Sequence, residues 1–393
     1  MVKERVFFIN NKLKGNTHEI IDASLIMALA NLFGRVEIYL SHSRRVLLEE
    51  MCSSFMKQND QGKSFEKCVW REINIDVKSD FFLDLYVALV DAWLLIKGSK
   101  RDIFMFSYGN SRFSLYLVNF LSKLLKRKVI ICAHNELDVL VKEKYPLNPN
   151  WYYLINRFYR KTQWSKTLRF LVLGDFIIDN LRKTLSADRV RHFFSVDHPY
   201  FQTQDDEQEN PNIGNLERIR VGLVGTVAPN KGLDNLKSFV ASLENSNVEL
   251  RVISRVLSPE DIFSNNAHVK IMNPDGLFLS REKYDELISD VDYLFFPYPN
   301  DRFCFSVSGS IFESIAKRKP FIAFRNDHFS YLLNKYGEFG IVINEKDQLN
   351  SLICSLSDTK RYMKMVHNCS DIAKKLSPIK CDLSRVLDFY GDN

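Results

Sequence analysis

Residues 221–236 read VGLVGTVAPNKGLDNL. Val221, Leu223 and Val224 make an apolar run without the alternation of a half-exposed strand, the pattern of a strand buried on both faces. Gly225 ends the run, a short loop passes through Thr226 and Lys231, and Gly232 opens a stretch in which Leu233 and Leu236 fall at helical spacing. Strand, glycine-marked turn and helix in that order form one βα unit. Such units, chained together, build a parallel sheet covered by helices.

The same order recurs on either side of this unit. Downstream, apolar runs at 248–254, 269–272, 293–298, 321–325 and 340–343 alternate with helix-period segments at 281–289, 308–317 and around Tyr331, and two further helices follow. Upstream, runs at 6–10, 36–41, 69–75, 102–108, 129–134, 168–174 and 193–196 alternate with helical segments from about Asn16, over 44–57 and 81–96, from Ser111, over 151–160 and from Phe176. Between the two series lies QTQDDEQENPNIGNLE (202–217), polar, acidic and marked by Pro and Gly, a linker composition. The expectation is an α/β chain of two Rossmann-like, doubly wound domains facing a central cleft. Residues 1–200 form the first, 201–217 the linker and 218–375 the second, with a closing segment over 376–393. Ligands of such sheets bind outside the carboxyl ends of the strands, so the loops after strands are the places to search.

Three such loops carry chemistry. In the first, Lys231 stands at a helix start, where free N–H groups and the helix dipole favour an anion and the ammonium adds a full charge. An ordinary turn with a solvated lysine has the same spacing. In the second, Ser308-Gly309-Ser310 follows the run 293–298 and a loop through Asp301 and Arg302, with Glu313 one turn further on. Small residues let backbone amides approach a phosphate, and a carboxylate there suits the two hydroxyls of a ribose. Simple helix capping by serine explains the same residues. In the third, His134 directly follows an apolar run and can meet a sugar hydroxyl or serve as structure. Gly15, Asn16 and His18 occupy the corresponding turn after the first strand and offer an acceptor site.

VGLVGTVAPNKGLDNL (221–236), ELISDVDYLFFPY (286–298) and SGSIFESIAKRKPFIAF (308–324), in that order and at those separations, resemble the second domain of GT-B glycosyltransferases, family 4 of the glycosyltransferase classification or a close relative. CAHNE (132–136) and FLVLGDFIIDNL (170–181) fit the same pattern. The resemblance implies the GT-B fold, with the donor bound by the second domain, the acceptor by the first, and a last helix over 376–393 crossing back to the first. It implies a retaining, metal-independent hexosyl transfer from a nucleotide diphosphate-sugar to a glycan or lipid-linked saccharide, without a cofactor. Carried over by position, His134, Lys231 and Glu313 are the catalytic set. Thr226, Lys231, Ser308, Gly309 and Ser310 hold the diphosphate, and Glu313 and Asn273 the nucleoside. His134, Asp301, Arg302 and Phe305 surround the donor sugar, and Gly15, Asn16 and His18 the acceptor. Two positions depart from the family: Phe305 stands where the first Glu of E-x7-E belongs, and Thr226 where an Arg usually follows the strand glycine. A nucleotide-sugar epimerase and a catalytically silent sugar-nucleotide-binding subunit are the rival readings.

Composition sets the class around this. The chain has 393 residues, 46% hydrophobic and 26% charged, which are globular values that exclude disordered and fibrous classes. Only 15 Gly and 11 Pro imply long elements rather than many hairpins. Seven Cys without C-x-x-C spacing point to free thiols in a reducing compartment. There is no H-E-x-x-H, and Asp290-Val-Asp292 falls on a helix-to-strand boundary, so no metal site is expected. G-x-G-x-x-G and G-x-S-x-G are absent, against a dinucleotide oxidoreductase and an α/β-hydrolase. No segment has the length of a signal h-region or a membrane span, which implies a cytoplasmic, at most peripheral protein. Residues 1–200 carry 31 Lys and Arg against 21 Asp and Glu, and residues 201–393 carry 23 against 27. The basic half, with Arg157, Arg160, Lys161 and Lys166 beside Trp151, Tyr152, Phe158, Tyr159 and Trp164, suits an anionic membrane surface. A lipid-diphosphate acceptor there ranks above nucleic acid.

Overall fold

The structure is a computed structural model. It describes residues 2–11, 18–58, 62–74, 80–107, 111–141, 149–200, 218–227, 231–256, 263, 266–277, 279–301 and 303–388. The expected linker at 201–217 lies outside these residues, as do Gly15, Asn16 and Arg302. The chain divides into two compact units. Unit 1 comprises Met1–Phe201, Phe305–Val307 and Leu376–Asn393, and unit 2 comprises Gln202–Cys304 and Ser308–Lys375.

Unit 1 is built on seven strands, β1 (Val2–Asn10), β2 (Phe33–Leu40), β3 (Cys68–Glu72), β4 (Ile103–Phe106), β5 (Lys128–Cys132), β6 (Leu168–Leu173) and β7 (Phe193–Val196). They alternate with helices α1 (Glu19–Leu32), α2 (His42–Gln58), α3 (Gly62–Phe65), α4 (Asp80–Lys97), α5 (Arg112–Leu125), α6 (Pro149–Lys161), α7 (Asp175–Thr184) and α8 (Ala187–Val190). The strand order is β3-β2-β1-β4-β5-β6-β7 and every pairing is parallel. Phe104, Ile130 and Phe170 are essentially unexposed, as strands covered on both faces require.

Unit 2 repeats the plan with β8 (Ile219–Leu223), β9 (Thr226–Val227), β10 (Val248–Val252), β11 (Arg255–Val256), β12 (Val269–Ile271), β13 (Tyr293–Phe296), β14 (Phe321–Phe324) and β15 (Gly340–Ile343). Its main sheet runs β12-β10-β8-β13-β14-β15, all parallel, and β9 pairs with β11 apart from it. Its helices are α9 (Leu233–Ala241), α10 (Arg281–Ser289), α11 (Ile311–Ala316), α12 (Asp327–Tyr336), α13 (Leu349–Ser355) and α14 (Thr359–Leu376). After α14 comes a 3-10 turn at Pro378–Lys380 and then α15 (Arg385–Asp388), rather than one continuous helix. Leu383 and Val386 of this tail pack into the core of unit 1 with Leu25, Leu29 and Met56.

Of the five aromatics expected to face a membrane, three are buried instead, while Trp151 and Tyr152 are half-buried. Phe158 and Tyr159 are fully enclosed and Trp164 nearly so, in a cluster with Phe170 and Phe193. They fill the core, because α6 turns its aromatic stripe toward the sheet and its cations outward. Asp290 and Asp292 lie where β13 begins and pair with Arg220, and Asp290 also with Arg251. All seven cysteines are free; Cys52, Cys132 and Cys369 are buried and Cys354 is exposed.

One buried ion pair pins α1 and α2 to the end of β1. Arg44 Nε and a terminal guanidinium nitrogen donate to Asp22 Oδ2 at 3.1 and 2.5 Å, and Asn10 Nδ2 donates to the same oxygen at 2.7 Å. Arg44 has no exposed surface and Asp22 almost none. Removing one member of a buried pair is far costlier than replacing both. Asp22→Ala is therefore expected to destabilise unit 1 by about 3–5 kcal/mol, and Asp22→Leu with Arg44→Met by much less. All four tryptophans (Trp70, Trp93, Trp151, Trp164) belong to unit 1, so urea unfolding followed by their fluorescence reads that unit alone. Equal midpoints for wild type and Asp22→Ala would contradict the assignment.

Candidate functional site

In each sheet the strand order reverses once near the middle, between β1 and β4 in unit 1 and between β8 and β13 in unit 2. Loops leaving the two strands at a reversal go to opposite faces, and the carboxyl ends between them form the ligand crevice of open α/β sheets.

In unit 2 the reversal brings the sequence-singled residues together. Gly225 follows β8 with φ +86°, and a methyl group on it would lie 3.3 Å from the Tyr298 hydroxyl and 3.5 Å from Ser310 Oγ. Gly232 caps α9 with φ +94°, and a methyl group there would lie 1.8 Å from the Pro297 carbonyl oxygen. Only glycine combines that backbone with that approach. Asn235 Nδ2 donates to the same carbonyl at 3.0 Å. Half-buried Lys231, directly before Gly232, is thereby fixed beside the end of β13. Thr226 contributes backbone to β9.

The segment 308–313 differs in detail from its sequence reading. The helix begins at Ile311, not Ser308, and Ser310 occupies its N-cap without a side-chain capping bond. Buried Ser308 gives its backbone N–H to His328 Nδ1 at 3.3 Å. That imidazole sits among Phe303, Phe312 and Phe329. Gly309 faces open space, with nothing within 4 Å of a methyl group placed on it. Phe303 holds a left-handed backbone, φ +64°, in the preceding loop, an unusual state for a bulky side chain. Asp301 is exposed and Phe305 fully buried.

Glu313 is nearly buried and held by a partner that sequence reasoning missed. Arg281, the first residue of α10, donates to Oε1 at 2.9 Å and to Oε2 at 3.1 Å, a bidentate clamp. Its Nε donates to Asp285 at 3.0 Å. The clamp fixes the orientation of both carboxylate oxygens. Ser280 caps α10 through Lys283 N–H and sets the helix start that aims Arg281. Nothing in the local spacing signals a pairing across 32 residues. Asn273 is used locally, its Nδ2 donating to Leu277 O at 3.0 Å within a turn.

In unit 1 the strand ends gather three histidines. His18 precedes α1 in a left-handed backbone, φ 59°, and its ring stacks on that of His134 with centroids 5.3 Å apart. His134 follows β5, with Nε2 3.5 Å from Cys132 Sγ and its backbone N–H donating to Glu136 at 3.0 Å. His198 follows β7, and its Nδ1 donates to Pro199 O at 2.9 Å, which fixes the tautomer. Burial, then the neighbouring His18 and His198, hold the His134 imidazole down at about 3. Burial first, with His18 contributing, does the same for His198, also to about 3. Burial lowers His18 as well, opposed by Asp22. Beneath them, burial raises the Glu136 carboxyl to about 7. His18 and His134 were singled out from sequence; His198 was not, since a lone His before Pro at the end of an apolar run carries no motif. Among the described residues no group of three or more His, Cys, Asp or Glu is placed to hold a metal ion.

No protein-family model matches the sequence, and no curated protein does. Solved structures do. The chain is similar to HepE of Anabaena in complex with UDP-glucose, at 14% identity and a TM-score of 0.61 over 98% of each chain. It is similar to WaaG, a glycosyltransferase involved in lipopolysaccharide biosynthesis, at 15% identity and a TM-score of 0.59 over 98% of this chain and 100% of that one. It is also similar to sucrose-phosphate synthase from Thermosynechococcus elongatus, at 11% identity and a TM-score of 0.61 over 95% of each. Together with the two reversed parallel sheets, these likenesses identify the fold as GT-B.

Proposed function

We propose that the chain is a glycosyltransferase that uses a nucleotide diphosphate-sugar, with the donor held in unit 2 and the acceptor, a glycan or lipid-linked saccharide, in unit 1. One observation carries the reading: at the strand-order reversal of unit 2, Gly225, Lys231, Gly232 and Ser310 converge on one sheet end, in a fold whose neighbour HepE was crystallised with UDP-glucose. In this reading the Lys231 ammonium and the free N–H groups opening α9 meet the diphosphate, and no metal is required for that charge. Glu313, oriented by Arg281, accepts from the ribose hydroxyls. The bond from the sugar anomeric carbon to the diphosphate oxygen breaks and the acceptor oxygen forms the new one. The acceptor proton leaves with the diphosphate. Retention of configuration follows the family likeness. His134 serves as a neutral hydrogen-bonding group, since its burial keeps the charged form out of reach. A binding chain without turnover is a second reading, favoured by buried Phe305 where the family carries Glu.

Incubation with a panel of nucleotide-sugars separates the two. A transferase releases nucleoside diphosphate slowly without acceptor, whereas a silent chain binds and releases none. Failure to bind any member removes both. Lys231→Ala is expected to weaken nucleoside diphosphate binding by about 1.5–3 kcal/mol, the worth of a charge-assisted contact. Unchanged affinity by calorimetry in a folded variant would reject the phosphate role. Activity is expected to persist in excess EDTA, and loss restored by manganese would reject metal independence.

The neutral imidazole has its own test. A lowered pKa keeps the ring uncharged at every pH above it, so His134 and His198 ring-proton signals are expected to stay constant from pH 8 to 5. An inflection near 6.5 in the signal lost on His134→Gln would refute neutrality.

A further inference from the structure

We propose that the outward faces of α4 and α5 form a docking surface for an anionic phospholipid bilayer. This surface is distinct from the α6 face and does not depend on the glycosyl-transfer reading.

Helix α4 departs from an ordinary surface helix, which turns apolar residues in and charges out: it is apolar on both faces, with Val87, Leu94 and Leu95 buried. Its carboxylates Asp84 and Asp91 are buried, Asp84 against Arg112 at 3.0 Å and Asp91 against Asn11 at 2.6 Å and Ser114. Its outer face carries Phe81, Phe82, Leu85, Leu89, Trp93 and Ile96, each between 41% and 62% exposed. Their spacing of three and four residues makes one continuous stripe along a helix about 27 Å long. Helix α5 runs beside it in the same direction. Phe81 meets Phe113 edge-on at 5.5 Å near their starts, and Arg127, just past α5, donates to Leu95 O at 2.9 Å near the end of α4. Phe120 and Leu124 of α5 are 59% and 64% exposed and extend the patch.

The occupant follows from charge. Lys97, Lys100, Arg101, Lys123 and Lys126 are exposed where the two helices end, and Lys97 Nζ lies 4.8 Å over the Trp93 ring. Over residues 81–97 of α4 and over α5, no exposed side chain is acidic. A second copy of this face would bring apolar surface and more cations, but no carboxylate to meet them. An anionic bilayer brings hydrocarbon for the stripe and phosphate for the cations, with long basic side chains and Trp at the depth they favour. No helix among the described residues is long and apolar enough to cross a membrane, so the contact is interfacial.

Flotation of the full chain with phosphatidylcholine vesicles, with and without phosphatidylglycerol, tests this. Wild type is expected to float with the anionic vesicles at low salt and to detach as salt rises. Combined Lys97→Gln, Lys100→Gln, Lys123→Gln and Lys126→Gln should lower partitioning at least about tenfold, as should Leu89→Ser with Trp93→Ser. Combined Arg157→Gln and Lys161→Gln on α6 should leave it unchanged. These positions are exposed, and an unchanged urea midpoint verifies folding. No flotation at low salt, or wild-type binding by both α4–α5 variants, overturns the proposal. So does a dimer in sedimentation velocity that Leu89→Ser with Trp93→Ser turns into monomers, since the face would then belong to a second copy.

Discussion

The central strands of both sheets, among the described residues, have no free face, and the chemistry of the chain is arranged around that constraint. A parallel strand covered on both sides uses its backbone groups in the ladder and its side chains in the core, so it meets solvent only at its ends. Polar residues accordingly collect there: Asn11, Ser41, Ser107 and His134 after β1, β2, β4 and β5, and Ser254 after β10. Where the strand order turns back on itself, the covering loops part, and the same ends become a place for a ligand. Unit 2 uses that gap for a lysine and glycines; unit 1 lines its strand ends with histidines.

Much of this was legible from residue order, because buried parallel strands leave an uninterrupted apolar run that no surface element imitates. All thirteen strands of the two main sheets fall on runs read from the sequence, within a few residues at each end. The two-residue strands β9 and β11 are too short to have a period. At the candidate site, glycine was informative where a positive φ and a close carbonyl leave no alternative, as at Gly232. Partnerships across long separations were silent: the grip of Arg281 on Glu313, or of Arg44 on Asp22, depends on which helices end up neighbours. The burial of Phe158, Tyr159 and Trp164 escaped the sequence for a related reason. Aromatics interleaved with cations describe equally a membrane face and an amphipathic helix whose aromatics are core, and only the direction of the stripe decides between them.

Buried polar groups in unit 1 are satisfied in two different ways. Asp22 and Arg44 pair with each other. Asp91 is instead held by neutral donors: burial lifts its carboxyl to about 7, against hydrogen bonds from Ser114 and Asn11 that favour the ionised form. Glu136 follows the same route below His134. The outer apolar stripe of α4 thus lies on a helix whose two carboxylates, Asp84 and Asp91, are held beneath it by Arg112, Asn11 and Ser114.

The free cysteines have a practical corollary. Alkylating reagents attack the thiolate, and burial pushes the Cys52, Cys132 and Cys369 thiols well up, Cys68 and Cys381 to about 12. Cys304 is half-buried, its thiol donating to Asp301 O at 3.4 Å. Cys354, exposed on α13, stands apart from all of them. At neutral pH a maleimide dye added in slight excess will therefore mark α13 first, giving the native chain a site-selective handle without engineering.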